Sequence, residues 1–111
     1  MQINVEKRED IIIIKCSGNI DADSYTEFKN TFDKIIVNGD LKIIVDLSGV
    51  NFISSSGWGV IIESLQKVRM GGGDILLAAM TEEVKNVYQT VSFNELLRSY
   101  DKLEDAIKSY K

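Results

Sequence analysis

Three consecutive serines, Ser54, Ser55 and Ser56, stand directly before Gly57-Trp58-Gly59, and they are the one serine run in the chain. Hydroxyls at the start of a helix have two uses. The first backbone N–H groups of a helix lack intrahelical partners and its dipole is positive there, so a serine can cap the helix or carry a phosphate at little cost. Other chemistries are closed off. The chain has no histidine, so no serine–histidine–carboxylate triad can be assembled, and the usual near-neutral base and commonest metal ligand are both missing. One cysteine, Cys16, supplies neither a zinc site nor an internal disulfide. It ends an apolar run, which fits a buried inert thiol or, alternatively, a redox-active one. The glycines Gly71, Gly72 and Gly73 are not followed by Gly-Lys-Ser/Thr and precede a strand rather than a helix, so they read as a helix stop and tight turn rather than a phosphate loop. The carboxylate pairs Glu82-Glu83 and Glu104-Asp105 lie near helix starts, where acids favour the dipole, and read as structural.

The elements that must hold the serines follow from periodicity. Ile3 and Val5 alternate with polar neighbours and Ile11 to Ile14 is a β-branched run, predicting two strands joined as a hairpin across Lys7 to Asp10. Asp21 or Asp23 can cap a helix that runs to about Val37, with Ser24 and Glu27 spaced as a capping box. Its apolar residues Tyr25, Phe28, Phe32, Ile35 and Ile36 share one face. Leu41 to Leu47 reads as a strand buried on both faces, at the centre of the sheet. A second helix starts at Ser54 or Ser55 and turns Trp58, Ile61, Ile62, Leu65 and Val68 inward. Gly57 and Gly59 are poor helix formers, so their place in its first turns implies close approach of the helix to the sheet or to a partner. Ile75 to Ala79 is the next strand. Thr81 opens a third helix carrying Val84, Val87, Tyr88 and Val91, and Asp101 opens a fourth. Between them Phe93 to Tyr100 reads as a short helical turn followed by an edge strand. The expected fold is α/β, a mixed sheet with an N-terminal hairpin and about four helices packed on it.

The 111 residues suit one domain, 1–111. The net charge of −4 and the scattered basic residues argue against direct nucleic-acid binding. The longest apolar run, Ile75 to Met80, is far below the roughly 20 residues of a membrane span, and the first residues lack the pattern of a secretory signal, so the cytoplasm is the expected compartment.

Three stretches carry a family likeness: Gly18-Asn19-Ile20-Asp21, then Ile44-Val45-Asp46-Leu47-Ser48-Gly49-Val50 with Phe52, and Ser55-Ser56-Gly57-Trp58-Gly59-Val60. Over almost its whole length the chain resembles the anti-sigma factor antagonists, the simplest members of the STAS domain class. The resemblance implies a non-enzymatic partner switch without metal or cofactor. The unmodified protein binds an anti-sigma factor that is also a serine kinase, releasing a sigma factor; phosphorylation ends the complex, and a serine phosphatase restores it. It places the phosphorylated residue at Ser55, with Ser54 and Ser56 as alternatives, and puts Asp21, Gly57 and Trp58 with the serines on the partner surface. Asp21 reads equally well as a helix cap, and Trp58 as core or as interface anchor. Such a protein is expected to be monomeric when free. The chain departs from the family pattern at Ser54, where aspartate is usual, and at Trp58, where an aliphatic residue is usual. Two other readings are a non-switching STAS scaffold subunit of a signalling assembly or transporter, and a nucleotide-binding protein.

Overall fold

The structure is a computed structural model that describes residues 1–111. Five strands form one sheet in the order β1 (Gln2–Arg8), β2 (Ile11–Ser17), β3 (Lys42–Gly49), β4 (Asp74–Ala78) and β5 (Arg98–Tyr100). The first pair is an antiparallel hairpin and every other pair is parallel. The expected mixed sheet with its N-terminal hairpin is therefore present, with β3 at its centre.

Consecutive apolar residues in β2 and β3 reflect cover on both faces of the sheet. Ile12, Ile14, Ile43 and Val45 face one core, shared with helices α1 (Tyr25–Val37), α2 (Ser55–Met70) and α3 (Glu82–Thr90). Ile11, Ile13 and Ile44 face a smaller one, closed by Ala106 and Ile107 of α4 (Leu103–Ser109). In the larger core Phe28 and Phe32 of α1 are fully buried and meet edge to face, ring centroids 5.1 Å apart. Burying each such side chain contributes about 1.5–3 kcal/mol. On the smaller side the Tyr110 hydroxyl lies 3.0 Å from the Ile43 carbonyl and 2.8 Å from that of Asp74, tying the end of α4 to β3 and β4. The segment after α3 is a 3-10 turn, Phe93–Glu95, followed by the short edge strand β5. No helix is long and apolar enough to cross a membrane.

Several local expectations are corrected. Ser24 and Glu27 form no capping box: the Ser24 backbone is helical (φ −106°, ψ −12°) rather than extended, and its side chain makes no capping bond. Its hydroxyl is drawn backward instead, accepting the Asp21 N–H at 2.9 Å and lying 2.9 Å from the Asn19 carbonyl. Asp101 does not cap α4, whose N-cap position is Lys102; Asp101 pairs with Lys85 at 3.3 Å. β3 begins at Lys42 rather than Leu41 and continues through Gly49, and β4 ends at Ala78 because Ala79 turns to φ +57°. The glycine stop behaves as expected. Gly71 is the C-cap of α2, Gly72 has φ +89°, and a Cβ on Gly73 would lie 2.2 Å from the Leu41 carbonyl oxygen.

Candidate functional site

The C-terminal ends of β2, β3 and β4 feed three loops, and backbone bonds join them. Gly18 N–H donates to Gly49 O at 2.9 Å, Ile20 N–H to Phe52 O at 2.9 Å, and Ser54 N–H returns to Ile20 O at 2.7 Å. Ile20 and Ile53 thus form a parallel bridge outside the main sheet. The Thr81 hydroxyl donates to the Val50 carbonyl at 2.9 Å and also caps α3 by accepting the Val84 N–H. Each loop satisfies its neighbour's buried polar groups, so the start of α2 is held in place from both sides.

Ser54 is the N-cap of α2. Its backbone is extended (φ −70°, ψ 168°), and its hydroxyl accepts the Gly57 N–H at 3.2 Å while lying 2.8 Å from the Ser56 hydroxyl. Serine and aspartate are near-equal caps, so the serine that departs from the family pattern is itself a competent cap of α2. Ser55, the first residue of α2, is exposed and makes no side-chain hydrogen bond within the protein. Asp21 directly follows Ile20, whose carbonyl receives the Ser54 N–H, so the two predicted site segments are joined through the backbone. Its side chain acts locally, accepting the N–H groups of Asp23 (3.0 Å) and Ser24 (3.1 Å). Desolvation works to raise the Asp21 pKa, but the bonds from the Ser24 hydroxyl and these two N–H groups outweigh it, leaving the carboxyl more acidic than usual.

Gly57 and Trp58 lie beneath the surface rather than on it. A Cβ on Gly57 would come within 2.7 Å of Ile20 Cγ2 and 2.9 Å of Ile53 Cγ2, so the close approach to the sheet side is real there. Gly59 has no such reason: a Cβ would meet nothing within 4 Å, although glycine within a helix costs about 0.5–1 kcal/mol relative to alanine. Trp58 is 5% exposed. Its ring stacks on Tyr88 (6.4 Å) and tilts against Phe93 (5.1 Å), and its indole N–H has no partner.

Beside Ser55 runs an apolar groove of about 550 Å³ that sequence reasoning missed, lined by Phe52, Trp58, Ile62, Val87, Val91 and Phe93, with Ser54, Ser55 and Gly59 also on its wall. Phe52, Val87 and Val91 are 52%, 44% and 48% exposed. The signal was present in α3, whose apolar stripe of Val84, Val87, Tyr88 and Val91 is wider than the core needs; Val84 and Tyr88 are its buried members. A smaller recess of about 130 Å³ adjoins it through Phe52, Trp58 and Val87 and includes Glu83. No cluster of three or more Cys, Asp or Glu side chains is placed to hold a metal ion.

The STAS domain family model matches residues 2–106. The chain belongs to the STAS domain family. This STAS domain is 29% identical over 101 residues to a Thermotoga neapolitana protein described as a candidate anti-sigma factor antagonist, covering 90% of this chain and 89% of that one. It is 22% identical over 100 residues to the anti-sigma-B factor antagonist of Listeria monocytogenes, covering 87% and 88%. Its fold matches the crystal structure of a candidate anti-sigma factor antagonist from Thermotoga maritima with a TM-score of 0.87 at 26% identity, over 96% of this chain and 92% of that one.

Proposed function

We propose that this STAS domain is a cytoplasmic anti-sigma factor antagonist, a binding module rather than an enzyme, switched by phosphorylation of Ser55. One observation carries the choice of residue. Of the three serines, Ser54 and Ser56 engage each other at 2.8 Å, whereas the Ser55 hydroxyl is exposed and unbonded at the first position of α2. The names of the relatives support the class of partner. In the unmodified state the surface around Ser55 binds an anti-sigma factor that is also a serine kinase, which frees a sigma factor; a serine phosphatase resets the switch.

The physics of the switch is local. A phosphate on Ser55 adds about −1.5 to −2 charge, which the N-terminus of α2 tolerates within the domain. Ser55 stands on the wall of the apolar groove, so in a contact surface the same charge must be desolvated against carbon, which is costly. The fold survives and the complex does not. Incubation with candidate anti-sigma kinases and ATP, followed by mass spectrometry, tests the reading: one phosphate on Ser55 is expected, absent from Ser55→Ala. Full phosphorylation of Ser55→Ala, or no binding of any such kinase by the unmodified protein, overturns it.

A further inference from the structure

We propose that the groove beside Ser55 receives the apolar face of a lysine- or arginine-rich amphipathic helix from the partner. The proposal rests on the antagonist reading above and specifies what the partner must present. Three observations point to this occupant.

The groove is bordered by side chains from two helices. Gly59 and Ile62 are three apart on α2, and Val87 is four residues before Val91, the C-cap of α3, so each pair lies along one side of its helix. Such a trough between helices suits a third helix laid into it, with apolar residues as anchors.

Gly59 keeps the groove open. A Cβ on Gly59 would meet nothing within 4 Å, and the residue is part of the groove wall beside Ser55.

Charge selects the partner. Asp21 and Asp23 in the loop before α1, and Glu82 and Glu83 in the first turn of α3, take part in no ion pair. The lysines that precede and follow these segments in sequence are already engaged, Lys15 with Glu6 and Lys85 with Asp101. Glu82 and Glu83 at the start of α3 therefore present carboxylates with no ion-pair partner, whereas Asp21 already feels the Met1 ammonium. Glu83 borders the recess that adjoins the groove, where a basic side chain flanking an apolar anchor would reach it.

Trp58 is the single tryptophan and lines the groove, so its emission reports occupancy without a label. The probes are two synthetic helical peptides of about four turns, with leucine on one face and either lysine or glutamate on the other. Titrated into the full chain, the lysine peptide is expected to shift Trp58 emission saturably and to bind at least about tenfold more tightly than the glutamate peptide. Val87→Glu and Gly59→Leu are each expected to weaken it by about tenfold or more, and Glu83→Lys severalfold. Because Gly59→Leu replaces a helical glycine, its melting temperature should be equal or higher, which separates a blocked groove from an unfolded chain. Equal affinity for both peptides, absence of saturation, or indifference to both Val87→Glu and Gly59→Leu overturns the proposal. So does saturation by decanoate where the lysine peptide fails, which makes the site one for small amphiphiles. Sedimentation equilibrium showing a dimer dissolved by Val87→Glu likewise overturns it in favour of a second copy. The two readings fail differently. If an anti-sigma kinase binds Gly59→Leu as tightly as the unaltered chain, the groove proposal falls and the antagonist reading stands; if no such kinase binds while the lysine peptide does, the antagonist reading falls alone.

Discussion

The Ser54 hydroxyl oxygen lies 2.8 Å from that of Ser56 and also accepts the Gly57 N–H at 3.2 Å. This relationship closes both outer hydroxyls of the run upon each other and upon the helix end. The middle hydroxyl, on Ser55, is left exposed with no internal partner, so the cap and the free hydroxyl belong to neighbouring residues.

The division predicts opposite responses to alanine. Ser54→Ala removes a cap and strands the Gly57 N–H, which should cost about 0.5–2 kcal/mol. Ser55→Ala removes no internal bond and should stay within about 0.5 kcal/mol of the unaltered chain. Ser54→Asp, another strong cap, should retain stability. Urea unfolding followed by circular dichroism measures all three.

Ser55→Glu, a partial mimic of the phosphoserine, should leave the urea midpoint nearly unchanged, since a carboxylate in the first turn of α2 is favoured by the dipole. Affinity for the anti-sigma factor should fall by about tenfold or more, equal to about 1.4 kcal/mol. Calorimetric titration compares Ser55→Glu with the unaltered chain directly. A parallel loss of folding and binding would show that the site fails for structural reasons.

The two glycines at the start of α2 should part company. Gly57→Ala drives a methyl within 2.7 Å of Ile20 Cγ2 and 2.9 Å of Ile53 Cγ2, both on buried side chains, and should destabilise by about 1–3 kcal/mol. Gly59→Ala meets nothing within 4 Å and should stabilise by about 0.5–1 kcal/mol through helix propensity. Thermal melts of the pair test whether only the first glycine is a packing requirement.

Burial above all, with the Asp46 and Glu27 carboxylates adding to it, pushes the Cys16 thiol up from its ordinary value near 9 to about 12. The folded chain therefore holds a protonated thiol while the unfolded chain ionises first. The stability this contributes is fully present below about pH 9 and is lost as pH rises from there toward about 12. A disulfide reagent at neutral pH should label Cys16 slowly in the native protein and rapidly in denaturant. Fast native labelling would revive the redox-active reading.

Much of this molecule is written locally. The consecutive Ile11 to Ile14 require cover on both faces wherever the strand lies, because alternate side chains point to opposite sides. The order of strands and helices then restricts the arrangement to a mixed sheet, and the serine run marks a helix start from residue type alone. Local rules fail where one side chain has competing partners. The spacing of Ser24 and Glu27 invites a capping box, yet the Ser24 hydroxyl is taken by the Asp21 N–H, a choice that depends on how the preceding loop is pinned to Phe52 and Ser54.

What the sequence by itself determined is the fold class, the position of the helix start and the set of three hydroxyls, since each depends on periodicity and residue chemistry within a few turns of chain. The geometry of the first turn of α2 left the Ser55 hydroxyl free, and tertiary structure alone decided which half of the α3 apolar stripe stays uncovered. Val84 and Val87 are equally apolar in sequence, but one meets the core and the other the groove beside Ser55. A periodic pattern shows that a face must be covered, and only packing shows how much of that cover the chain supplies itself.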